Sequence, residues 1–185
     1  MKLADIRPLA TLALFASTPL FASDNPGAHQ HGHAEVQIAI SHDRVDLIFT
    51  SPAHNLLGFE HEARTEAQKQ RLLNVQDWLS TTPLINTADA SCLVKDATAD
   101  IASMAEGDDH EENHQHHDAP PRQRHADVEV TQVLNCPGVG SATELTTDLP
   151  DRFPGIDQLD IDWIDSAGQA SIRLPSGETR FSLAR

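Results

Sequence analysis

Ala34-Glu35-Val36-Gln37-Ile38-Ala39-Ile40, then Ser41-His42-Asp43-Arg44, then Val45-Asp46-Leu47-Ile48-Phe49 is the stretch on which the fold turns. In its first segment residues 34, 36, 38 and 40 are apolar, and Glu35 and Gln37 stand between them. That is the two-residue period of a strand with one dry and one wet face. The polar connector is short enough to make the two segments a hairpin. Pro52 ends the second strand, because it brings no amide to a ladder. Gly58 marks a turn before Phe59. A sheet with one dry face needs another element to cover it.

The next segment supplies that cover. Thr65 and Gln68 have the capping-box spacing. Leu72, Val75 and Leu79 follow on one face of a helix reaching about Ser80, with Leu73 and Trp78 widening the apolar stripe and Pro83 limiting it. Alone, a helix of this length is marginal, so its stripe is expected to lie on the sheet. Residues 91–99 and 125–135 read as further strands, and in the second Val128, Val130 and Gln132 alternate with Glu129 and Thr131. Cys92 sits near the start of one and Cys136 at the end of the other. An antiparallel pair brings those ends together and sends the intervening residues on one excursion from the opposite end. Residues 141–147 read as a short helix or turn. Three short strands, 161–164, 169–174 and 180–183, read as a closing antiparallel meander. The expected class is α+β: a largely antiparallel sheet packed against one main helix, with a disordered His/Asp/Glu-rich loop.

The ends and the composition set the context. Lys2 and Arg7 precede a mostly apolar run over 9–21 that Pro8 and Pro19 bracket, and Ala22 is a suitable last residue before a cut. Residues 1–22 therefore read as a secretory signal, and 23–185 as a single metal-binding domain. The run is well short of the roughly 18 residues that a membrane span needs. No cysteine at the cut offers a lipid anchor. The expected location is the periplasm, with no membrane insertion. A formal charge of -15 and a pI of 4.9 count against nucleic acid and anionic lipid partners, and suit the capture of cations. With aromatic content of 4% and no tyrosine, recognition by ring stacking is not expected. The two cysteines of an exported chain suggest one disulfide. Closing a loop of about 45 residues, it would contribute roughly 4 kcal/mol on a chain-entropy basis. The alternative, a pair of thiol ligands or a redox couple, has no CxxC spacing behind it.

Eleven histidines invite a reason. His29, His31 and His33 alternate as HxHxH. His110, His114, His116 and His117 fall in an insert at 104–124, among Asp108, Asp109, Glu111, Glu112 and Asp118, with His125 just beyond. Imidazole suits borderline divalent ions, and zinc accepts histidine and carboxylate in tetrahedral geometry. Calcium or magnesium would use the carboxylates and leave the histidines unexplained. In an extended segment a spacing of two turns side chains to one face, so His31 and His33 can share an ion. A third ligand must then come from elsewhere, with His61, His125 and Asp127 as candidates. The plainer alternative is a tail of surface histidines that binds metal weakly. The insert has almost no apolar residue after Ala105, so it cannot bury itself. It offers many interchangeable ligand sets and so fast, weak, unselective binding. His42 and His54 read as surface or capping residues. His61 either points toward the N-terminal histidines or satisfies the chain before the helix cap. No HExxH, GxSxG, phosphate-binding glycine loop or dinucleotide fingerprint occurs, and catalysis is not expected.

The run His31-Gly32-His33-Ala34-Glu35-Val36 and the block from Ser51-Pro52-Ala53-His54-Asn55 through Leu56-Leu57-Gly58-Phe59-Glu60-His61 resemble the ZrgA family. So do the two cysteines flanking a His/Asp/Glu-rich insert, and Trp163-Ile164 followed by Gly168-Gln169. These are zinc-regulated periplasmic proteins, and the resemblance covers nearly the whole mature chain. It implies Zn2+ as the bound ion, with delivery to a zinc ABC importer or its solute-binding protein as the role. By the same resemblance His31 and His33 look like the N-terminal histidine motif, and His110, His114, His116 and His117 like members of a variable His-rich insert. The rival readings are a buffer for copper, nickel or excess zinc, and a structural adaptor whose histidines are incidental.

Overall fold

The computed structural model describes residues 30–101 and 126–183. The hairpin forms as its alternation dictates. Strands β1 (His33–Ser41) and β2 (Arg44–Pro52) pair antiparallel from Glu35↔Thr50 to Ser41↔Arg44. Ala34, Val36, Ile38, Val45, Leu47 and Phe49 all face inward and are buried. Directly after Pro52 comes a short helix, α1 (Ala53–Leu57), closed by Gly58 at φ +79. The long helix α2 (Glu66–Thr81) begins with the full capping box between Thr65 and Gln68 and buries Leu72, Val75 and Leu79. Leu73 departs from expectation. It is 57% exposed, because the helix lies on a narrower stripe than its apolar residues span. Trp78 instead extends the packing, edge-on to Phe153 with ring centroids 5.3 Å apart.

The remaining elements are β3 (Asn86–Thr87), β4 (Leu93–Asp100), β5 (Asp127–Asn135), a 3-10 turn (Val139–Ser141), β6 (Glu144–Thr146), α3 (Leu149–Arg152), β7 (Gln158–Asp165), β8 (Gly168–Pro175) and β9 (Arg180–Ser182). The main sheet has the order β4-β5-β2-β1-β7-β8. β4 and β5 pair antiparallel from Leu93↔Asn135 to Asp100↔Glu129, and Cys92 and Cys136 form a disulfide beside the first of these pairs. The chain leaves and re-enters at the other end, at Ile101 and Ala126. The insert 104–124, and with it the expectation of a disordered loop, lies outside the described residues.

Two features correct the sequence reading. The sheet is mixed, because β7 lies parallel to β1 from His33↔Gln158 to Ala39↔Ile164. The closing meander also breaks after β8. Past Gly177, at φ +78, the chain crosses to a second sheet of order β3-β6-β9, where Phe181 and Leu183 are buried. Both depend on where the chain goes between strands, and period-two alternation carries no information about that. The fold is α+β, with one long helix, two short ones and two sheets.

Gln132 shows how helix and sheet are joined. On the inner face of β5, it is only 2% exposed. Its Nε2 donates to the carbonyls of Leu79 and Thr82 at 2.7 and 2.8 Å, and its Oε1 accepts from the Leu84 amide at 3.0 Å. An amide in an apolar layer is tolerated because its polar atoms are matched. Here it satisfies carbonyls that the end of α2 leaves over. Among the described residues, no helix is long and apolar enough to cross a membrane.

Candidate metal centre

The first residues of β1 and β7 and the end of β2 gather at one end of the main sheet, with α1 following directly on β2. Asn55 organises this end. It is buried while its neighbour His54 is exposed, so one short helix offers an anchor to the interior and an imidazole to solvent. Asn55 Oδ1 accepts from the Gly32 amide at 2.9 Å. Its Nδ2 donates to the His33 carbonyl at 2.9 Å and contacts Ser51 Oγ at 3.1 Å. Gly32, at φ +84, accepts from the amides of Asp157 and Gln158 at 2.8 and 2.9 Å. A side chain there is excluded twice, by the backbone angle and because a Cβ would come 2.5 Å from Asp157 Oδ2.

The left-handed turn at Gly32 gives His31 and His33 different partners. His31 Nε2 lies 2.8 Å from Glu60 Oε1, and its ring stacks on His54 with centroids 4.4 Å apart and planes 12° from parallel. His33 Nε2 lies 2.9 Å from Asp160 Oδ2. Asp160 is also held by Arg173, whose Nε and Nη2 donate to Oδ1 and Oδ2 at 2.8 and 3.1 Å. The guanidinium first, and His33 after it, keep the Asp160 carboxyl below its ordinary range against the opposing pull of partial burial. A carboxylate so clamped is a poor candidate for metal. Glu60, 17% exposed, lies beside a His31 that is 51% exposed.

The other sequence candidates are distributed. His61 turns onto Phe59, with ring centroids 5.3 Å apart, and its Nδ1 donates to the Glu62 carbonyl at 2.7 Å. Glu60, one residue earlier, is what meets His31. Asp127, opposite Pro52 at the start of β5, lines a cavity of about 140 Å3 with Gln30, His33, Glu35 and Thr50. His29, His110, His114, His116, His117 and His125 lie outside the described residues. Reading by spacing did not single out His54, Asn55, Glu60 or Asp160 as part of this end. His54 reads from sequence as a surface or capping residue, the Ser51–His61 block contains three of the four, and Asp160 is contributed by a strand more than a hundred residues away.

Two nearly parallel imidazoles have lone pairs in nearly parallel planes, which cannot both point at one ion. Accordingly, no group of three or more His, Cys, Asp or Glu side chains among the described residues stands in metal-holding geometry.

A family model described as ZrgA family zinc uptake protein matches residues 28–183. The chain belongs to this family. Among curated proteins none matches it. The family match spans every described strand and helix, and both histidine-carboxylate pairs lie within it. For a ZrgA protein, the chemistry to be explained is therefore that of zinc uptake.

Proposed function

We propose that this protein is a periplasmic zinc carrier that takes zinc at His31, His54 and Glu60 and gives it up to a zinc ABC importer or its solute-binding protein. One observation supports the choice of residues above the others: an imidazole in contact with a carboxylate, with a second, exposed imidazole stacked on it. Two neutral imidazoles and a carboxylate form a three-ligand set that leaves the fourth tetrahedral position open. An open position suits a carrier, because an acceptor's ligand can enter before the donor's leave. Zinc needs unprotonated imidazole nitrogens and an ionised carboxylate, so it competes with protons for these ligands and affinity falls as pH falls.

His33 is the weaker candidate, since the carboxylate nearest it is committed to Arg173. The insert, with His110, His114, His116 and His117, acts as a low-affinity collector. The family's link to uptake favours acquisition over a copper or nickel buffer.

Competitive zinc, copper and nickel titration calorimetry tests this on the mature chain, a variant lacking residues 108–118, and the double variant His31→Ala/His54→Ala. The expected result is one tight zinc site that survives the deletion, with only weak binding lost. The double variant should lose at least tenfold in zinc affinity, about 1.4 kcal/mol. A tight site untouched by the double substitution, or no preference for zinc, overturns the reading.

A further inference from the structure

One groove does not share the charge of the rest of the surface. The chain carries 28 Asp and Glu against 13 Lys and Arg. Yet a groove of about 730 Å3, bounded by α1, α2 and residues 152–155, is lined by Arg71, Arg152 and His54 and by no carboxylate at all. Arg44, Arg173 and Arg180 each pair with an acid. Among the described residues neither arginine of the groove does, although acids outnumber bases two to one.

Arg152 has a different use. Its guanidinium lies 5.7 Å from the centre of the Trp78 ring and 5.4 Å from that of Phe153. Stacking on aromatic faces fixes the plane of the group and leaves its N–H fork available for an oxyanion. The wall opposite α2 is tightly seated, since a Cβ on Gly155 would come 2.6 Å from the Asn55 carbonyl oxygen. The volume falls within the range of small-molecule sites. One end of the groove is His54, the same imidazole that stacks on His31.

We propose that this groove binds a small polycarboxylate of the citrate class, and that zinc arrives there as its carboxylate chelate rather than as a bare ion. The second half rests on the zinc reading above; the first does not. Such a chelate is anionic, and on this acidic protein a groove lined by two arginines and no carboxylate favours it over the acidic surface around it. Arg71 and Arg152 bind carboxylates turned away from the metal. A carboxylate still on zinc occupies the fourth position as His54, His31 and Glu60 close on the other three. No bond beyond metal coordination is made or broken.

The test uses the mature chain, citrate as probe, and the variants Arg71→Glu and Arg152→Lys. Citrate should bind the zinc-free protein and be weakened at least tenfold, about 1.4 kcal/mol, by Arg71→Glu. Arg152→Lys, which keeps the charge and loses the fork, should weaken it less. Without citrate, zinc affinity should be no lower in Arg71→Glu than in the wild type, because the substitution adds negative charge near the cation. With citrate present, the wild type should retain zinc better than Arg71→Glu. Equal citrate binding by wild type and Arg71→Glu, or citrate stripping zinc equally from both, overturns the proposal. So does a groove that ignores citrate and binds an Asp/Glu hexapeptide, which would assign it to an acidic protein segment. Citrate binding by a protein with no tight zinc site would sink the zinc reading and leave the anion site standing.

Discussion

At the scale of single residues, the end of the sheet that carries the histidines is set by Asn55 more than by the histidines themselves. Its three contacts fix the path of residues 32 and 33, and that path decides which carboxylate each imidazole meets. Replacing Asn55 by Ala leaves a buried amide and carbonyl without partners, at a cost of about 2–3 kcal/mol. Chemical denaturation should show that loss, with zinc affinity falling too although no proposed ligand is touched. Asp160 behaves differently. Because Arg173 holds its carboxyl below the ordinary value, its contribution is present above an unfolded pKa of about 3.9 and is lost as pH falls through the lowered folded value. Asp160→Asn should therefore destabilise by at most about 1 kcal/mol at pH 7, after solvent screening, and the difference should vanish in acid. Unfolding curves at pH 7 and at successively lower pH check the sign. The HxHxH spacing draws attention to this segment but does not carry its geometry. An alternating motif implies one shared face only if the backbone stays extended, and Gly32 takes it into the left-handed region.

At the scale of elements, local signals were legible and partnerships less so. The β1–β2 hairpin, the capping box of α2, and the β4–β5 pair implied by Cys92 and Cys136 follow from alternation, spacing and turn chemistry. The parallel β1–β7 pairing and the departure of β9 to the second sheet do not, because they are decided by long connections. α1 was hidden for another reason: five residues are too few to show a helical period, and Pro52 marked only the end of a strand. Gln132 joins both levels, with its place in β5 readable from alternation and its hold on the end of α2 visible only in three dimensions. Gln132→Leu keeps the volume roughly constant but strands the Leu79 and Thr82 carbonyls and the Leu84 amide. A loss of about 2–4 kcal/mol is expected. Hydrogen exchange should localise it to the C-terminal turn of α2 and residues 82–84, whereas a uniform loss of protection would contradict this role.

At the scale of the whole molecule, the two ends of the main sheet have different tasks. The disulfide closes the end at Leu93 and Asn135, while the histidine-carboxylate pairs and the anchors of the insert lie at the other, by His33, Asp127 and Gln158. Cys92→Ser/Cys136→Ser should thus lower stability by roughly 2–4 kcal/mol, mainly by freeing the unfolded chain. Zinc affinity in the folded protein should stay within about twofold, a separation that titration calorimetry below the variant's melting temperature can verify. On the proposed reading, His31, His54 and Glu60 form the zinc site once the two imidazoles leave their stacked arrangement. Anomalous scattering at the zinc edge from crystals of the zinc-loaded protein tests it most directly. A peak is expected about 2.0–2.2 Å from a nitrogen of His31, a nitrogen of His54 and an oxygen of Glu60. A principal peak beside His33 and Asp127, with His31 still bonded to Glu60 and stacked on His54, would contradict it.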